Sequence, residues 1–254
     1  MTTQRIVIKL GSGILSRQKS PGLDESQFGK LAAAVAALMK EGAECILVSS
    51  GAVAAGMPVL ALKERPVDLV ARQACAAVGQ PLLMRRYREA FEKYGLPVAQ
   101  LLLTHGDLDS RMRRENAGNT IERLLRGKVI PIVNENDSVA VEELNFGDND
   151  HLSAEVATMA GANLLMILTS VDGLMDDKGK VIPEVRDIDH VGGFVRNDKG
   201  KLSVGGMVTK LEAVRLALAA GITTVITNGR KPAILPRIAA GKPGGTRFIA
   251  NGRH

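Results

Sequence analysis

The chain contains no tryptophan, and aromatic residues make up only 3% of its 254 positions. A core without aromatic bulk has to be built from Val, Ile, Leu, Ala and Met. Binding of single-stranded nucleic acid by base stacking has few platforms to work with. Cysteine is nearly absent as well. Cys45 and Cys75 lie in separate apolar runs, with no C-x-x-C and no Cys/His pairing at metal spacing. That excludes a disulfide scaffold or a zinc module and fits buried thiols in a reducing compartment. No apolar run approaches the ~18–20 residues of a membrane span. The amino terminus, MTTQRIVIKL, enters a strand-like segment without a signal-peptide pattern. The expectation is a cytoplasmic protein with no membrane association.

What is present is ordinary for a globular chain: 45% hydrophobic and 24% charged residues. The net charge of +6 is compatible with nucleic acid or with small anionic substrates. The densest basic stretch, Arg111, Arg113, Arg114, Arg123, Arg126 and Lys128, is interleaved with Asp107, Asp109, Glu115 and Glu122. It reads as a solvated helix face, so no nucleic-acid partner is expected. The histidines, His105, His151, His190 and His254, are scattered, and none has a metal partner at helical spacing.

Short apolar runs recur at 5–10, 44–49, 97–103, 129–133, 164–168, 222–227 and 246–249. Continuous hydrophobicity of this kind marks strands buried on both faces. Between them lie stretches of helical period. In 24–41, Phe28, Leu31, Val35, Leu38 and Met39 share a face and Gly42 is placed to stop the helix. In 207–220, Leu211, Val214 and Leu218 do the same, with Gly221 as the stop. This alternation predicts a single α/β domain over 1–254, with a mostly parallel sheet between two layers of helices. Residues 138–150 and 173–184 interrupt it and read as short hairpins, the second turning at Asp177–Lys178–Gly179.

Small and polar residues gather at the carboxyl ends of these strands: Gly11-Ser12-Gly13, Ser49-Ser50-Gly51, Asn134 to Ser138, Thr169-Ser170 and Thr227-Asn228-Gly229. Turns favour such residues in any case, but in open α/β sheets this edge is also where ligands bind. Gly11-Ser12-Gly13 and the Gly51–Gly56 segment are small enough for backbone amides to reach an anion. Neither a Walker A pattern nor G-x-G-x-x-G is present. Lys9 stands out because it lies inside an apolar strand, where a charge is costly unless an anion meets it. Lys210 stands out because it follows a glycine-rich segment at a helix start. Gly147-Asp148-Asn149-Asp150 is dense in acid and amide and otherwise reads as a solvated turn.

The motifs KLGSGIL, VSSGAVAAG, QACAAVGQ, QLLLT, IPIVNENDSVA, FGDNDHLSA, ILTSVDGL, GGMVTK and TNGR occur in one order and spacing from about residue 5 to 250. Together they resemble the glutamate 5-kinases of the amino-acid kinase family. The pair NEND and GDND-x-LSA is the specific part of the resemblance. The segment Ser203-Val204, before Gly205-Gly206, departs from the Gly-Thr more usual there. The chain stops just after GTRFIANG, where a PUA domain follows in many members, so the resemblance is to the short form without it.

The resemblance implies a three-layer α/β/α sandwich around a doubly wound sheet of about eight strands. It implies ATP-dependent phosphorylation of the γ-carboxylate of L-glutamate to γ-glutamyl 5-phosphate, the first step of proline biosynthesis. Mg²⁺ would accompany ATP, with no protein ligand for it assigned. L-proline would act as feedback inhibitor, and the chain would form a dimer or tetramer of identical subunits. Carried over by position, Lys9 reaches the transferring phosphate, Lys210 the leaving side, and Asp150 orients both lysines. Ser50, Asn134, Asp137 and Asn149 hold glutamate, with Asp137 on its ammonium. ATP contacts fall to Lys9, Gly11, Ser12, Gly51, Thr169, Ser170, Val204, Gly205, Gly206, Met207, Val208, Thr209 and Lys210. Two rival readings remain on the same fold. One is a kinase for a related substrate such as acetylglutamate. The other is a non-catalytic nucleotide sensor or RNA-binding protein, which should lack one of Lys9, Lys210 and Asp150.

Overall fold

The computed structural model describes residues 3–18, 20–139, 149–191 and 204–250. Its first strand, β1 (Arg5–Leu10), illustrates how the sheet is built. Successive side chains point to opposite faces. Ile6, Ile8 and Leu10 enter one hydrophobic cluster, while Val7 enters the other. Lys9 has the parity of Val7 and therefore faces the second layer. β1 is central, paired in parallel with β2 (Glu44–Val48) and β5 (Leu164–Thr169). The register puts Lys9 level with Val48 and with Ile167.

The remaining strands are β3 (Val98–Leu103), β4 (Ile130–Glu135), β6 (Glu184–Val185), β7 (Thr223–Asn228) and β8 (Thr246–Phe248). They complete an eight-stranded sheet in the order β3-β4-β2-β1-β5-β7-β8-β6. β8 runs antiparallel to β7, and β6 follows β8. Each expected run overlaps one of these strands, with β4, β5 and β7 extending one or two residues past theirs. β6 was not expected: two residues carry no alternation to read. The sequence expectation of a mostly parallel α/β/α sandwich holds.

One helical layer holds α1 (Ser12–Leu15), α2 (Glu25–Lys40), α3 (Ala52–Gly56), α4 (Leu69–Glu92) and α9 (Leu235–Ala239). The other holds α5 (His105–Asp109), α6 (Arg111–Arg126), α7 (Asn149–Met159) and α8 (Val204–Ala219). Helices α2 and α8 end as anticipated, where Gly42 and Gly221 take positive φ. Cys45 and Cys75 are buried free thiols, and burial pushes the Cys45 pKa up to about 12. Among the described residues no helix is long and apolar enough to cross a membrane.

The hairpin expected at 173–184 is present, closed by a bridge between Met175 and Val181. The one expected at 138–150 lies largely outside the described residues, but its end is different. Asn149 and Asp150 are the first residues of α7, not part of a turn. Lys210 likewise does not start a helix. α8 begins at Val204, so the glycine-rich segment is its first turn and Lys210 lies well inside it. In both places the local turn formers are overridden by packing of α7 against α8, which buries Leu152, Val156, Leu211 and Val214.

Candidate active site

The carboxyl ends of the central strands point toward the starts of α1, α3, α7 and α8. The first amides of a helix find no acceptor within the helix itself. Asp150 lies in the first turn of α7, where the helix dipole favours a carboxylate. Its side chain is fully buried, and so nearly are Lys9, 1% exposed, and Lys210, 8% exposed. Lys9 Nζ pairs with Asp150 Oδ1 across the sheet surface. Lys210 Nζ pairs with Asp150 Oδ2 at 2.9 Å and donates to the Gly206 carbonyl at 2.9 Å, one turn back in α8. The Thr209 hydroxyl donates to the same carboxylate oxygen at 3.4 Å. Two ammonium groups share one carboxylate, so these three side chains together carry a net positive charge. Such a buried set favours an anion beside it.

Beside this ionic cluster lies a neutral one. The Asn149 amide, next in the chain to Asp150, donates to Ser50 Oγ at 3.0 Å and to Asn134 Oδ1 at 2.9 Å. It also approaches the Ser49 carbonyl oxygen. The structure thus joins Ser50 after β2, Asn134 at the end of β4 and Asn149 on α7. Two residues without an assigned role extend the array. Asn134 donates to Gln80 Oε1 at 2.9 Å, and Gln80 donates to Gln100 Oε1 at 2.9 Å. The signal for Gln80 was its place on the buried face of α4, with Cys75, Ala76, Gly79, Leu83 and Tyr87. A polar side chain on an apolar stripe has to find a partner. Tyr87 does so with the Ser49 hydroxyl at 2.8 Å, and burial raises its pKa.

Asp137 stands apart from the amide array, in the turn after β4. Burial and the nearby Glu135 raise its pKa to about 6, against the opposing pull of Arg65 and Arg72. Burial also raises Glu135, which His105 partly offsets. Asp137 therefore ionises less readily than an ordinary aspartate, and a cation beside it would favour the charged form.

The glycine turns differ from one another. The Gly11 amide is already used: it donates to the Leu168 carbonyl at 3.1 Å, continuing the β1–β5 ladder. Gly11 matters for its size, since a Cβ there would lie 3.2 Å from that oxygen. Ser12 and Gly13 open α1. Gly51 precedes α3, which is seated backbone-to-backbone on α4. A Cβ on Gly79 would lie 1.9 Å from the Ala52 carbonyl oxygen, and one on Gly56 2.0 Å from that of Cys75. Thr169 closes β5, and its carbonyl accepts from the Gly229 amide at 2.9 Å, while Ser170 is exposed on the following bend. Val204, Gly205, Gly206, Met207 and Val208 form the first turns of α8, with Met207 half-buried and Val208 exposed. Ser203, whose identity departs from the expected pattern, lies outside the described residues.

A model of the amino acid kinase family matches residues 4–228. The chain belongs to the amino acid kinase family. Among curated relatives, glutamate 5-kinase of Thermus thermophilus is 47% identical, covering 100% of this chain and 70% of that protein. Glutamate 5-kinase of Geobacter sulfurreducens is 46% identical over 97% of this chain and 68% of its own length. Among solved structures, carbamate kinase from Giardia lamblia bound to AMP-PNP is 17% identical, with a TM-score of 0.71 over 98% of this chain and 99% of that one. That likeness is one of fold. In this member of the family the buried ionic cluster and the amide array meet at neighbouring residues, Asn149 and Asp150, on one helical turn.

Proposed function

We propose that this chain transfers the γ-phosphoryl group of ATP to the γ-carboxylate of L-glutamate, giving γ-glutamyl 5-phosphate and ADP. The observation that carries the reading is the Lys9–Asp150–Lys210 cluster lying against a neutral amide array. The relatives named glutamate 5-kinase support the substrate. A carboxylate with a pKa of about 4.3 is ionised at neutral pH, so the nucleophile needs no general base. One carboxylate oxygen attacks the γ-phosphorus, the bond from phosphorus to the bridging oxygen breaks, and ADP leaves with that electron pair. What the protein supplies is positioning and charge. Lys9, on β1, meets the transferring group. Lys210, on α8, meets the charge that grows on the leaving side. Asp150 holds both ammonium groups in place. First-turn amides of α1, α3 and α8, at Ser12, Gly51–Ala52 and Gly205–Gly206, complete the phosphate contacts. Thr169, Ser170 and the start of α8 flank the nucleotide.

The substrate's α-ammonium goes to Asp137, and Ser50, Asn134 and Asn149 supply neutral hydrogen bonds to the rest of the molecule. Magnesium usually binds through phosphates with one or two carboxylates and water. Among the described residues no group of three or more His, Cys, Asp or Glu is placed to hold a metal, and both Asp150 oxygens are engaged by lysines. The donor set fits an ion carried on the nucleotide's phosphates, where it would neutralise their charge. A cytoplasmic place follows from the need for ATP and glutamate.

Substrate choice is tested by ADP release with L-glutamate against N-acetyl-L-glutamate, L-aspartate and UMP. Turnover with L-glutamate alone is expected; preference for another acceptor overturns the reading. L-proline shares the ammonium and α-carboxylate of glutamate but lacks the γ-carboxylate, so it should occupy the Asp137 end of the pocket and compete. Initial rates at several fixed proline concentrations should converge at saturating glutamate. Inhibition that glutamate fails to relieve places the proline site elsewhere.

A further inference from the structure

The turn after β1 carries Ser12 into the candidate phosphate site, yet α1 spans only Ser12–Leu15. A helix of one turn cannot hold itself and leaves its carbonyls without partners. Its apolar anchors are Ile14 and Leu15, both buried. Its polar anchor comes from the far end of the chain. One terminal nitrogen of the Arg230 guanidinium donates to the Gly13 carbonyl and, at 3.2 Å, to the Ser16 carbonyl. The other terminal nitrogen pairs with Asp24 Oδ2 at 3.2 Å. Asp24 is fixed in turn: its amide donates to the Leu15 carbonyl at 2.8 Å, and its other carboxylate oxygen accepts from Ser26 at 2.8 Å. The clamp reaches the strand ends too. The Arg230 amide donates to Asn228 Oδ1 at 2.9 Å, and Asn228 donates to Asp172 Oδ1, just beyond Thr169 and Ser170, at 2.9 Å.

We propose that Arg230 is a positioning residue for the nucleotide end of the site. It grips the carbonyl end of α1 and so holds the Ser12 and Gly13 amides toward the phosphates, while Asn228 ties the same corner to the loop after β5. The guanidinium is spent on the α1 carbonyls and on Asp24. Its charge is balanced locally by Asp24 and does not add to the Lys9–Lys210 cluster. A fork of several N–H donors suits this task, because one group satisfies carbonyls and a carboxylate at once. The inference rests on the nucleotide reading given under Proposed function and refines it.

The test measures ADP affinity by titration calorimetry and steady-state constants for wild type, Arg230→Met, Arg230→Lys and Asp24→Asn. Loss of hydrogen bonds to a charged group predicts about a 10-fold or greater rise in the ADP Kd and the ATP KM of Arg230→Met. The glutamate KM should stay within about twofold, as expected for a group remote from that pocket. Arg230→Lys keeps the charge but not the fork and should fall between wild type and Arg230→Met. Asp24→Asn should show a smaller loss, and the double variant should be no worse than Arg230→Met. Unchanged ADP affinity in Arg230→Met, or an equal rise in both substrate KM values, overturns the proposal. If Arg230→Met does not fold, Arg230→Lys decides by the same split. Wild-type ADP binding without glutamate turnover would instead count against the glutamate reading, leaving the clamp to be judged on ADP affinity.

Discussion

The two halves of the site solve the same problem by opposite means. Around Asp150, binding capacity is stored as charge: a buried carboxylate between two ammonium groups, sealed by α7 and α8. Around Asn149, one residue earlier, it is stored as neutral dipoles, a run of amides from Gln100 through Gln80 and Asn134 to Ser50. The difference follows from what each half has to meet. Phosphoryl transfer moves charge toward the leaving oxygen of ADP, and only preorganised charge or strong donors stabilise that change. On the proposed reading the ammonium and α-carboxylate of the amino acid keep their charge throughout, so neutral groups of fixed orientation suffice at that end, with Asp137 assigned to the ammonium.

That contrast breaks first at the lysines. Lys9→Met or Lys210→Met keeps the aliphatic stem and removes the ammonium. Loss of one preorganised donor predicts a kcat lower by roughly 10²–10³, with smaller changes in either KM. Stability separates the members of the cluster. Lys9→Met leaves an Asp150–Lys210 pair and should unfold at nearly the wild-type temperature. Asp150→Asn removes the carboxylate that both buried ammonium groups share and should cost about 3–5 kcal/mol by chemical denaturation. Equal destabilisation by the two variants contradicts the shared-carboxylate picture.

The recognition half should respond in KM and not in kcat. Asp137→Asn removes a charge at nearly constant shape and should raise the glutamate KM by roughly 2–4 kcal/mol in free-energy terms, leaving the ATP KM in place. Its pH dependence sharpens the point. With its pKa raised to about 6, Asp137 is protonated below that pH and cannot pair an ammonium. The glutamate KM should climb about tenfold per pH unit below 6, while the substrate's own γ-carboxylate stays ionised down to about 4.3. The sign for folding is the reverse. A raised carboxyl pKa means the folded state holds this proton more tightly, so its contribution to stability is full below 3.8 and lost as pH rises through about 6. In Asp137→Asn both slopes should flatten; a persistent KM slope assigns the titration to another group.

The smallest expected effect tests the scaffold shared by both halves. Gly79→Ala places a methyl against the Ala52 carbonyl and must displace α3, and with it the turn at Ser50–Gly51. Overpacking of this kind should cost about 1–3 kcal/mol by denaturant titration. Because the proposed reading sets that turn beside both substrates, both KM values should move together, unlike either set above.

Much of this arrangement was legible in the sequence, for reasons that particular residues show. The apolar runs of β1, β2 and β5 read as buried strands because no polar residue interrupts their pattern except Lys9, and that exception marked the site. α7 and α8 were misread at their starts. Asn149-Asp150 and Gly205-Gly206 are turn formers by local preference, and only packing between the two helices makes them helical. Gln80 carried a signal, a polar side chain on an apolar face, but its partner Asn134 is far away in sequence and visible only once β4 and α4 are packed. Arg230 lies in the TNGR motif, but nothing in that motif pointed to its partners. Its partners Gly13, Ser16 and Asp24 lie at the other end of the chain and meet it only when β7 is placed beside β5, itself beside β1.

The most direct test of the central claim is the identity of the product. An acyl phosphate is trapped by hydroxylamine as a hydroxamate, whereas inorganic phosphate from simple ATP hydrolysis is not. With ATP, Mg²⁺, L-glutamate and hydroxylamine, the account predicts γ-glutamyl hydroxamate formed in step with ADP, and loss of both in Lys210→Met. ADP released without hydroxamate, or hydroxamate formed as readily from Lys210→Met, would contradict it.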